Sequence, residues 1–166
     1  MNADAPVSRG NILVIGVGNE MRSDDALGLI VARKVAERCP KTISTIEQSG
    51  EGAALMASWQ GKETVVVIDA VQSGAASGSL FRFDVHHEPI PRKFFHYSTH
   101  DFSVAEAIEL ARVLKTLPPR MIVYGVEGAS FEPGIGLSPA AESASEIVVE
   151  SICQDLGAGA QWFVAR

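Results

Sequence analysis

The apolar and polar positions along this 166-residue chain alternate between short aliphatic runs and longer amphipathic stretches. Ile12-Leu13-Val14-Ile15 is a continuous aliphatic run closed by Gly16, the pattern of a strand buried on both faces. From Asp25 to about Arg38, Leu27, Ile30, Val31 and Val35 recur at three- and four-residue spacing and predict a helix. A weaker strand is expected from about Thr42 to Glu47, then a short helix from Ala53 to Trp59 behind the turn Ser49-Gly50-Glu51-Gly52. Thr64-Val65-Val66-Val67-Ile68 is the strongest strand signal, and Asp69 is expected to end it. A further strand near Ser79 to Phe83 comes after a turn-rich connection. That connection is too short for a crossover helix, which predicts that these two strands are antiparallel neighbours.

A polar loop from Val85 to about Tyr97 leads to a helix expected from about Asp101 to Leu117, stopped by Pro118-Pro119. Met121 to Val126 reads as a last buried strand. Ser138-Pro139 then opens a final helix, an N-cap serine followed by proline at the first helical position, running to about Leu156. Helices alternating with mostly parallel strands give an α/β fold. Its expected architecture is three-layer αβα with a mixed, mostly parallel sheet of about five strands. With no internal repeat and no dividing linker, residues 1–166 are expected to form a single domain.

Composition narrows the classes of function. The chain is 46% hydrophobic and 20% charged, as in an ordinary globular protein, with a formal net charge of −6. An acidic balance argues against nucleic acid as a partner. No apolar run reaches the ~18 residues of a membrane span, and the first residues lack the apolar segment of a secretory signal. Cys39 and Cys153 show no metal-like spacing, so both are expected to be reduced, structural cysteines of a cytoplasmic protein. Oligomeric state leaves no mark on the sequence, and monomer is the default.

Sites in open α/β sheets form outside the carboxyl ends of the parallel strands. Asp24 and Asp25 follow the first strand, Asp69 follows the third, and His100 precedes the third helix. Two carboxylates and an imidazole make a donor set suited to Ni²⁺, Zn²⁺ or Fe²⁺. Other roles stay open on these residues. One acid of the 24–25 pair could cap the helix beginning there, and His86, His87 and His96 compete with His100. Gly16-Val17-Gly18-Asn19 resembles the start of a dinucleotide fingerprint, but position 21 is methionine and only Glu47 could serve as the ribose-binding acid. Neither a P-loop nor a Gly-x-Ser-x-Gly elbow is present, so no catalytic nucleophile is assigned.

Five blocks together carry a family resemblance. Gly16-Val17-Gly18-Asn19, Asp24-Asp25-Ala26-Leu27-Gly28, Val67-Ile68-Asp69-Ala70, Ser98-Thr99-His100-Asp101 and the run from Glu132 to Pro139 lie in the order and spacing of the hydrogenase maturation proteases. The sequence resembles that family over almost its whole length. The resemblance implies an endopeptidase that removes the C-terminal peptide of a nickel-iron hydrogenase large-subunit precursor once nickel has been inserted. It implies Asp25, Asp69 and His100 as the metal-binding residues, with the nickel supplied by the precursor. The family's Gly-Gly-Thr-x-Gly turn is replaced here by Gln48-Ser49-Gly50-Glu51-Gly52, a departure that bears on substrate identity. Two other readings compete: a noncatalytic docking protein or metallochaperone using the same ligands, and a nucleotide-binding α/β enzyme using the glycine turn.

Overall fold

The aliphatic runs become the middle of a five-stranded sheet, where strands are covered on both faces. In the computed structural model, residues 11–91, 94 and 102–157 are described. The strands are β1 (Ile12–Val17), β2 (Ile43–Gln48), β3 (Thr64–Val71), β4 (Leu80–Asp84) and β5 (Arg120–Glu127). The helices are α1 (Leu27–Arg38), α2 (Gly52–Trp59), α3 (Val104–Val113) and α4 (Pro139–Gly157), with a single 3₁₀ turn at Ser23–Ala26 ahead of α1. Spatial order in the sheet is β2-β1-β3-β5-β4, parallel throughout except for β4, which runs antiparallel to β5. The expected three-layer α/β architecture with a mixed, mostly parallel sheet is therefore the one the chain adopts.

Side-chain alternation along the strands divides the core into two layers. Leu13, Ile15 and Val17 of β1 and Val65, Val67 and Val71 of β3 pack with Leu55 and Trp59 of α2 and Ile108 of α3. On the other face, Val14, Val66 and Ile68 pack with Leu27, Val31 and Val35 of α1 and Val148 and Ile152 of α4. α1 and α4 are also tied by charge: Lys34 donates to Glu142 and Glu146 (2.7 and 2.6 Å), and Arg38 donates to Glu146.

Several boundaries and one adjacency differ from the sequence reading. β3 runs on through Asp69 to Val71, because Asp69, Ala70 and Val71 continue the ladder opposite Gly125, Val126 and Glu127. Strands β3 and β4 do lie antiparallel, yet they are not neighbours, since β5 inserts between them. The 72–79 connection passes over the end of β5. It is held there by the buried Glu127 carboxylate, which accepts from the N–H groups of Ser73 and Gly74 and from the Ser73 hydroxyl. Backbone bonds from Gly78 N–H to Glu127 O (2.8 Å) and from Glu127 N–H to Ser79 O (2.9 Å) close the crossing.

Helix α3 is shorter than expected at both ends. Its start is fixed by a capping box between Ser103 and Glu106. Its end is set by Lys115, whose φ of 57° turns the chain so that Thr116 N–H reaches Ala111 O at 2.9 Å. The expectation of two reduced cysteines is overturned outright. Cys39, directly after α1, is bonded to Cys153 of α4 with a Cα–Cα distance of 5.3 Å, and no free cysteine remains. Cysteine usage therefore gives no argument for a reducing compartment. No helix among the described residues is long and apolar enough to cross a membrane.

Candidate functional site

The carboxyl ends of β1, β2, β3 and β5 share one rim. After β1 the chain turns toward β2 through α1 on one face, whereas β3, β5 and β4 lie on the other side of β1. The crevice between the ends of β1 and β3 is thus the point at which the strand order reverses, where open α/β sheets place their sites. Glycines let the first helical turn press into this crevice. A Cβ on Gly28 would lie 2.2 Å from Val17 O and 2.4 Å from Ile68 O, and one on Gly16 would lie 2.2 Å from Gly28 O. Only residues without a side chain fit there.

That close approach carries Asp25, in the 3₁₀ turn, up to Asp69 of β3. Asp69 shares its face of β3 with Val67 and Val71, the face covered by α2 and α3, and is buried. Its carboxyl is pushed well above the ordinary range, first by burial and then by the negative charge of Asp25. Burial also raises the Asp25 carboxyl, against the opposing pull of the Arg22 guanidinium and a hydrogen bond at the Asn19 backbone. A buried acid with a half-buried one beside it favours a shared cation, either a proton or a metal ion.

The two acids of the 24–25 pair do different things. Asp24 is fully buried and points away from the crevice. It accepts from Ala129 N–H (2.7 Å), Ser138 N–H (2.7 Å) and the Ser138 hydroxyl (2.8 Å), and so organises the loop after β5 and the start of α4. Neither acid caps the helix that begins there, since the 3₁₀ turn and α1 have no side-chain cap; Asp24 instead positions Ser138, whose hydroxyl oxygen accepts from Ala141 N–H in the first turn of α4.

His100 and His96 lie outside the described residues. The nearest described residues on either side of their segment are both fastened to the rim. Gln72 N–H, just past β3, donates to Phe94 O (3.2 Å), and Gly52 N–H, at the start of α2, donates to Phe102 O (2.9 Å). His86 and His87 are placed elsewhere, in the turn after β4 at the opposite end of the sheet. There His86 Nε2 meets Pro118 O at 2.7 Å and His87 Nδ1 pairs with Asp84 at 3.0 Å. Among the described residues no group of three or more His, Cys, Asp or Glu converges.

The nucleotide reading fares poorly on this geometry. Glu47, the only candidate for a ribose contact, is engaged by both Nε and Nη2 of Arg33 at 2.7 and 2.9 Å. Gly16 and Gly18 are pressed against the turn leading into α1: a Cβ on Gly18 would lie 1.9 Å from Asp25 O, so packing of protein on protein accounts for both glycines.

Comparison with known proteins identifies the family and agrees with the fold. The family model for hydrogenase maturation proteases matches residues 29–155. The chain is 27% identical to the hydrogenase 2 maturation protease of Escherichia coli K12 over 145 residues, covering 85% of this chain and 87% of that protein. It is 24% identical over 159 residues to a putative hydrogenase maturation protease of Methanocaldococcus jannaschii, covering 88% and 99%. Among solved structures, an endopeptidase from Escherichia coli superposes with a TM-score of 0.76 at 25% identity, covering 90% of this chain and 93% of that one. With a family model matching residues 29–155, most of its length, and a fold shared with that endopeptidase, the chain belongs to the hydrogenase maturation protease family.

Proposed function

We propose that this chain is an endopeptidase that removes the C-terminal peptide from a nickel-iron hydrogenase large-subunit precursor after nickel insertion. On this reading Asp25, Asp69 and His100 bind the nickel that the precursor carries. The observation that carries it is the juxtaposition of Asp25 and Asp69 at the reversal point of the sheet, two acids whose mutual repulsion a divalent ion would relieve. Supporting His100 as the third donor, the described residues flanking its segment are both bound to that same rim, and α3 covers the face on which Asp69 lies. A site built of two carboxylates and one imidazole leaves the remaining positions of the ion to ligands from the precursor.

Affinity then depends on loading, because an unloaded precursor brings the buried Asp69 and the half-buried Asp25 nothing to neutralise them. Such differential affinity is what a maturation checkpoint requires. The ion would polarise a nearby carbonyl or activate a water, while Asp25 and Asp69 hold it in register with the tail. The test is the intact mass of a purified precursor after incubation with this protein, nickel-loaded and nickel-free side by side, with Asp69→Ala as control. Loss of a C-terminal peptide only from the loaded precursor with unsubstituted protein supports the reading. An unchanged mass with a stable complex would point to a docking protein, and an unchanged mass without a complex would overturn both.

A further inference from the structure

The run from Glu132 to Pro139 is one of the five blocks singled out in the sequence, yet none of its side chains is a metal-ligand candidate. Its backbone is pinned to the segment bearing Asp25. Ser23 N–H donates to Gly134 O and Gly134 N–H donates to Met21 O, both at 2.9 Å, making a short bridge between the two loops. The Ser23 hydroxyl donates to Glu132 O (2.8 Å), Arg22 Nε donates to Phe131 O (3.2 Å), and Asp24 holds Ala129 and Ser138. Phe131, at one end of the loop, is sunk into the core beside α1 and α4.

Against that framework, two large apolar side chains are turned outward. Met21 is 61% exposed and Ile135 is 80% exposed, and the Gly134–Met21 hydrogen bond makes them backbone neighbours. Neither side chain contributes much to folding at such exposure. Both stand on a backbone whose bonds are already made, so little ordering remains to be done when something covers them. Met21 and Asp25 also lie on one loop, closed by Asn19 N–H donating to Asp25 O at 3.2 Å. The exposed pair is thus carried by the same segment as the carboxylate proposed to meet the precursor's ion.

We propose that Met21 and Ile135 form the docking surface for an apolar segment of the precursor that lies beside its metal centre, and that they set which precursor is accepted. The inference rests on the proposed function above. Met21 supplies an adaptable, polarizable contact and Ile135 a rigid one. Their contribution is to substrate binding, not to the chemical step.

The experiment is steady-state cleavage of nickel-loaded precursor by unsubstituted protein, Met21→Ser, Ile135→Ser and the double variant. Ile135→Leu serves as the conservative rescue and Val113→Ser as the control. Val113 is 77% exposed near the end of α3, away from the rim. The expected result is a KM raised about tenfold or more in the double variant, with kcat within about twofold and an unchanged melting temperature. Ile135→Leu and Val113→Ser should both stay near the unsubstituted KM. A KM unchanged in the double variant, or raised as much by Val113→Ser, overturns the inference while leaving the peptidase in place. No cleavage by the unsubstituted protein removes the proposed function and this inference with it.

Discussion

The carboxylate of Asp24 accepts both the backbone N–H and the hydroxyl of Ser138, at 2.7 and 2.8 Å, across 114 positions of sequence. Ser138 Oγ in turn accepts from Ala141 N–H (3.3 Å), so a residue following β1 completes the N-cap of the last helix. This clamp fixes the loop after β5 against the turn that carries Asp25. Asp24 holds the rim together, and Asp25 is left to face the crevice.

Asp24→Ala is therefore expected to destabilise the protein while Asp25→Ala is not. Removing a fully buried carboxylate strands the N–H groups of Ala129 and Ser138, a cost of about 2–4 kcal/mol. Urea unfolding followed by far-UV circular dichroism measures it. A change under about 0.5 kcal/mol would mean that solvent replaces the clamp without loss.

How far the sequence disclosed this arrangement depends on the range of the interactions involved. The aliphatic runs of β1, β3 and β5 and the periodicity of α1 are local signals, so the layers and the rim could be read directly. The strand rule then brought Asp25 and Asp69 to one edge. What escaped were facts created by distant pairing. That β5 slips between β3 and β4 follows from the grip of Glu127 on residues 73 and 74, a contact that no periodicity records. Strand β3 outlasts its aliphatic run because Gly125 to Glu127 keep pairing with it past Asp69. The bond between Cys39 and Cys153 depends on how α1 lies along α4, and two isolated cysteines give no hint of it.

Reduction of that bond, or Cys153→Ser, should lower stability without impairing the site. The bridge closes a loop of 114 residues between α1 and α4, far from Asp25 and Asp69. Constraint on the unfolded chain predicts a loss of about 2–4 kcal/mol. The salt bridges of Lys34 and Arg38 to Glu142 and Glu146 would keep the helices associated. Thermal unfolding with and without reductant checks this, and an identical melting temperature under both conditions would contradict it.

Glu127→Gln should loosen the crossing of the 72–79 segment over β5. The carboxylate takes bonds from Ser73 N–H, Gly74 N–H and the Ser73 hydroxyl, and an amide can reproduce only part of that set. A loss of about 1–3 kcal/mol is expected. Hydrogen exchange at Ser73 and Gly74 should accelerate more than exchange in β1, and uniform acceleration across the sheet would show that the crossing has no local role.

The metal-free site should be a place where the protein pays stability for function. Burial and mutual repulsion raise the carboxyls of Asp69 and Asp25 in the folded state above their ordinary values. The folded protein then binds more protons than the unfolded chain, and stability falls as pH rises from the ordinary carboxylate range through the raised folded values. Asp69→Asn removes the charge while nearly preserving shape. In the presence of a chelator it should raise the urea midpoint, and by more at pH 8 than at pH 4.5. Added Ni²⁺ should stabilise the unsubstituted protein and not the variant, because a ligand bound only by the native state raises its apparent stability. A midpoint for Asp69→Asn at or below that of the unsubstituted protein at pH 8 would show that the two carboxylates do not strain the fold.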